Sequence, residues 1–196
     1  MMAMMIAGLE AELDGVDTAP IVAFFTSETG AKVVELEIAA RQALLDEAVE
    51  EASREAAIVA MADGTPRVVQ VERFIEANDL IESNVVGALN SNYAFFMGLM
   101  DGGALPGQMT EDQILADVWA QEADIRFNST EWLYSFLLMA YAPLTDEEME
   151  AYIAFSESDP GQDINRALFA AFDEMFIEIS RALGLASAEL MVVQEL

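Results

Sequence analysis

Cysteine and histidine are both absent from the 196 residues. Without a thiol there is no disulfide, no thiolate zinc site, no iron–sulfur cluster and no cysteine nucleophile. Without an imidazole there is no histidine base and no histidine-ligated di-iron bundle. No metal site and no cofactor are expected. Positive charge is nearly as scarce. Eight basic residues, of which only Lys32 is a lysine, face 36 acids, for a formal net charge of −28. Such a chain repels phosphate backbones and anionic headgroups, so no nucleic-acid partner is expected. Cationic partners, weakly held divalent cations or a salty medium suit it better. Long apolar runs are missing too. The longest uncharged stretch, Ser83 to Met100, carries Asn84, Asn90 and Asn92. That is too polar for a membrane span of ~20 apolar residues. The opening MMAMMIAGLEAEL has no Lys or Arg and no clear cleavage site. It is not an intact signal peptide, and a native start upstream of Met1 stays open.

What is present is helix chemistry. Hydrophobic residues make up 54% of the chain, enough for a sizeable core. The 5 prolines and 11 glycines cluster at a few points, as helix boundaries do. Gly15 closes a first helix, and Asp17 or Thr18 with Pro20 opens a second over roughly Ala19 to Thr26. A long helical pattern follows from Gly30 to Met61, with a kink near Asp46. Thr65-Pro66 opens the next, Asn78-Asp79 turns the chain, and another helix runs from Leu80 to Met100. Pro106 and Gly107 mark the clearest loop. Thr110-Glu111-Asp112-Gln113 and Thr145-Asp146-Glu147-Glu148 are capping boxes. Breaks are expected at Asn128-Ser129-Thr130, at Asp159-Pro160-Gly161 and at Gly184. No run reads as a strand. The fold class is therefore all-α: a bundle of seven or more helices, as one domain over 1–196, with a half boundary near 101–109.

Two segments repeat. Val22-Ala23-Phe24-Phe25-Thr26-Ser27-Glu28-Thr29-Gly30 aligns with Ile153-Ala154-Phe155-Ser156-Glu157-Ser158-Asp159-Pro160-Gly161 at an offset of 131 residues, the distance from Phe24 to Phe155. Ala39-Ala40 and Ala170-Ala171 keep the same offset. The repeat-like segments are 18–45 and 145–176. Each is read as a helix-break-helix corner. Phe24 or Phe155 wedges between the two helices of its corner, Ser27 or Ser158 marks the break, and Pro160 re-enters helix in the second copy. Gly30 and Gly161 allow close approach.

The stretch Leu144-Thr145-Asp146-Glu147-Glu148-Met149-Glu150-Ala151-Tyr152-Ile153-Ala154-Phe155, then Ser158-Asp159-Pro160-Gly161-Gln162, resembles domain-of-unknown-function family 2059. The pattern is a capped acidic turn, an Ala-Phe, a Ser-Pro-x-Gly-Gln-like break and a long amphipathic helix. The clear match covers Leu144 to about Glu189, and the copy at Thr18 to Leu45 is a degenerate second instance. Ser156 stands where members often have Tyr, and Asp163 where they often have Lys. The resemblance implies an all-helical bacterial protein with a periplasmic or exported home. It carries over no catalytic residue.

Carboxylates are the only plentiful reactive groups. Glu147, Glu148 and Glu150 suit the positive end of a helix dipole. Asp46, Glu47, Glu50, Glu51 and Glu55 read as a solvated face, with no twelve-residue calcium loop. Asn84, Asn90, Asn92 and Tyr93 lie among apolar residues on an uncharged helix. They read either as internally bonded bundle residues or as the lining of a small-ligand cleft. Met1, Met2, Met4 and Met5 offer an adaptable contact surface. The function these features suggest is a non-enzymatic protein of the bacterial cell envelope that binds a protein partner, a second copy or a small ligand. The alternative is a hydrolase using an Asp/Glu pair.

Overall fold

A computed structural model describes residues 1–105 and 109–194, so the loop expected at Pro106 and Gly107 lies outside the described residues. Among those described there are ten α-helices and no strand. They are α1 (Met2–Glu12), α2 (Ala19–Phe25), α3 (Glu28–Ala43), α4 (Glu47–Asp63) and α5 (Pro66–Ala77), then α6 (Leu80–Asp101), α7 (Glu111–Trp119), α8 (Glu122–Tyr141), α9 (Asp146–Ser156) and α10 (Asp159–Gln194). The all-helical fold expected from the caps is what forms.

Local chemistry sets most of these ends. Asp46 separates α3 from α4 as a helix N-cap, its carboxylate accepting from the Ala48 and Val49 amides. The pattern read as one kinked helix is thus two. Thr65 caps α5 by accepting from the Val68 amide. Both capping boxes form: the Gln113 and Glu148 side chains accept from the Thr110 and Thr145 amides, and each threonine hydroxyl accepts in return. Asp79, at φ 48°, makes the turn between α5 and α6.

Two expected breaks do not occur. α8 runs through Asn128-Ser129-Thr130. These residues lower helix propensity by only tenths of a kcal/mol each. Burial of Leu133, Phe136 and Leu137 in the following turns outweighs that. α10 runs through Gly184, which is not a stop. A Cβ there would overlap the Phe95 carbonyl of α6, and one at Gly98 would overlap the Arg181 carbonyl of α10. The paired glycines let the two helix backbones touch. One turn on, Gly102 meets Ala188.

The chain divides into two compact units. One comprises Met1–Asp14, Glu82–Phe127 and Ala167–Leu196; the other comprises Gly15–Ile81 and Asn128–Arg166. In the first, the α6–α10 crossing is accompanied by the buried side chains Val85, Leu89, Ile114, Val118 and Met175. In the second, Val33, Val71, Met149, Ile153 and Tyr141 form the centre of a core drawn from α3, α5, α8 and α9.

The two corners of the second unit make the same hydrogen bonds. Ser27 Oγ donates to the Phe24 carbonyl and accepts from the Gly30 amide. Ser158 Oγ donates to the Phe155 carbonyl and accepts from the Gly161 amide. The phenylalanines differ from expectation. Neither is fully buried, and each ring stacks on the other, with centroids 4.0 Å apart and planes 3° from parallel. The two corners therefore face each other through their aromatic rings. Gln162 adds a tie: its amide donates to the carbonyls of Ala77 and Ser156, both at 2.6 Å.

Candidate functional site

Asn90, Asn92 and Tyr93 of α6 each bond to a different side chain. The Asn90 amide donates to the Asp173 carboxylate of α10 at 3.0 and 3.2 Å. The Asn92 amide donates to Gln121 at 3.1 Å. The Tyr93 hydroxyl donates to Glu111 at the start of α7, and that bond pushes the phenol pKa up. Asn84 is half-buried one turn from the start of the helix. Asn90, Asn92 and Tyr93 reach three different side chains and tie α6 to its neighbours.

One polar cluster inside the second unit was not legible in the sequence. Glu37 of α3 accepts from the Tyr141 hydroxyl at 2.6 Å and from the Tyr152 hydroxyl at 3.2 Å. Burial pushes both phenol pKa values up, Tyr141 the more deeply set of the two. No local pattern links positions 37, 141 and 152; only the packing of α3, α8 and α9 does. Nearby, Lys32 and Glu148 pair at 2.6 Å, and Arg73 and Glu150 at 2.8 Å. Hydrogen bonds from Lys32 and Arg73 hold these two carboxyls below their usual range. Among the described residues no group of three acids is placed to hold a metal ion. None of the described helices is long and apolar enough to cross a membrane.

Exposed apolar side chains are the remaining feature. On α7, Asp112, Leu115, Ala116 and Trp119 line an open depression of about 400 Å³. The larger feature is on α10. Phe169, Phe172, Phe176, Ile179, Leu183, Ala186 and Leu190 recur at alternating intervals of three and four, the a/d pattern of a coiled coil. Phe172, Phe176, Leu183 and Leu190 are 41, 48, 58 and 68% exposed. Other sides of the same helix are covered: Ala171, Met175, Gly184 and Ala188 are buried. The heptad could have been found from sequence. The expected stop at Gly184 cut it in two.

No curated protein and no solved structure matches the chain. A family model described as an uncharacterized protein conserved in bacteria, DUF2059, matches residues 1–57. The matched stretch holds α1, α2, α3 and much of α4, and includes the copy at 18–45 rather than the one at 145–176. Over residues 1–57 the chain is thus similar to DUF2059, the family expected from Leu144 to Glu189, a segment that this match does not cover.

Proposed function

We propose that this chain is a non-enzymatic binding protein of the bacterial cell envelope, which engages a protein partner through the outward face of α10. The observation that carries the reading is the row of Phe172, Phe176, Leu183 and Leu190, all at least 41% exposed on one side of one helix. Single exposed apolar residues need no explanation, but a contiguous row marks an interaction surface. Fully covering one such side chain is worth about 1.5–3 kcal/mol. The envelope assignment rests on the family resemblance.

The small-ligand version has less support, because Asn90, Asn92 and Tyr93 bond to protein side chains. So does the hydrolase alternative. A general acid needs a carboxyl whose pKa is raised. Glu148 and Glu150 are pulled the other way.

Site-specific photocrosslinking in bacterial cells tests the reading. A benzophenone amino acid in place of Phe176 should give a discrete protein adduct in the periplasmic fraction, abolished by Leu183→Ser. The same label in place of the exposed Glu51 on α4 should give none. Equal labelling from both positions, or none from position 176, would contradict the docking face.

A further inference from the structure

We infer that the occupant of the α10 face is a second copy of this chain, joined by a two-helix coiled coil; the inference rests on the docking face proposed above. The seam spans 169–190, which is about 33 Å of helix. All seven of its a and d positions are apolar.

The flanks decide between occupants. In a two-stranded coil the e and g positions face the partner beside the seam and set its charge preference. Here they are Asp173, Met175, Ser180, Ala182, Ser187 and Glu189, of which Met175 is already buried in its own unit. Four of the six carry no charge, in a chain of 36 acids. A cationic helix would find only Asp173 and Glu189 to pair with, and Asp173 already accepts from Asn90. A second copy meets no like charge. In a parallel pair each g position faces the e position five residues on in the partner helix, which puts Glu189 opposite Gln194. Asp173 falls opposite Leu168, and small or apolar residues lie between. The sparsely charged strip lets two chains of charge −28 approach closely along α10. Repulsion from the rest of the surface remains and is screened by salt. Stable interfaces bury about 1,200–2,000 Å². A single seam of this length lies at the low end, so association should be reversible.

Sedimentation velocity on the full chain, from low micromolar to submillimolar concentration and at low and moderate NaCl, tests this. The expected result is a reversible shift from 21.4 kDa to twice that mass, favoured by salt. Phe176→Ser with Leu183→Ser should remain monomeric while keeping its helical circular dichroism. Leu190→Ser, nearer the helix end, should weaken association without a folding penalty. Leu115→Ser with Trp119→Ser on α7 should dimerise as the parent does. A parent that is monomeric throughout, a dimer that survives the α10 changes, or a dimer weakened by salt would overturn the inference. A monomeric parent that still crosslinks from position 176 to a different protein would leave the docking face standing and remove the second copy.

Discussion

A methyl group has no room at Gly30 or Gly161. In each case it would overlap the carbonyl of the phenylalanine six residues earlier, and backbone cannot swing aside as a side chain can. Gly30→Ala and Gly161→Ala should each cost about 3 kcal/mol, at the upper end for overpacking. Ser27→Ala and Ser158→Ala remove only a cap and should cost about 1 kcal/mol. Urea midpoints of the four variants check the order; equal losses would mean the corners relax around the new methyl. The serine and glycine roles were legible because they act within six residues of one another. The stacking of Phe24 on Phe155 was not, because it joins positions 131 apart in a geometry that only the assembled unit defines. It gives a second expectation. Phe24→Ala and Phe155→Ala each lose the same ring contact, so the double variant should lose less than the two singles together. A coupling of about 0.5–1.5 kcal/mol is expected from a double-mutant cycle. Additive losses would show that the rings do not support each other.

At the scale of elements, most helix starts were readable, those of α4 and α8 were not, and two expected stops are absent. Thr65, Thr110 and Thr145 announce their helices because an N-cap is a local bond between a side chain and an amide two or three residues on, whereas Asp46, read as a kink, is a cap of the same kind. Asn128-Ser129-Thr130 and Gly184 look like stops by propensity, but packing overrides them. Gly184 serves a crossing in which its partner, Gly98, lies 86 positions earlier, the span from 98 to 184. Gly184→Ala should therefore destabilise by ~1–3 kcal/mol through overpacking. At an uncrowded helix position the same change would stabilise, since alanine is the better helix former. Thermal melts of Gly184→Ala give the sign; a raised midpoint would deny the close crossing. The docking stripe belongs to this scale as well. Its spacing was visible in the sequence, whereas the α6 and α1 contacts that leave that side of α10 uncovered were not.

Across the whole molecule, charge is the governing quantity. All eight bases are engaged: Lys32 and six arginines pair with acids, and the Arg41 guanidinium lies 4.9 Å from the Phe136 ring centroid. Most of the acids among the described residues therefore have no basic partner, and their mutual repulsion opposes the folded state. The melting temperature should rise with added NaCl as that repulsion is screened. The titration of Tyr141 and Tyr152 acts at the other end of the pH scale. Their folded pKa values are raised, so above about pH 10 the unfolded chain releases protons that the folded chain keeps. Their contribution is intact below that pH and is lost as pH rises, by up to about 1.4 kcal/mol per pH unit for each phenol. Glu148 and Glu150 behave oppositely: their contribution is present above about pH 4.3 and is lost as pH falls through their lowered folded values. The proposed role of the α10 face is to serve a partner and not the chain's own core. Its most direct test is urea unfolding of Phe176→Ser and Leu183→Ser in dilute solution, where any partner has dissociated. Half-exposed side chains predict a loss of no more than about 1 kcal/mol at each position. A loss of ~3 kcal/mol or more at either, the cost of emptying a packed core site, would contradict it.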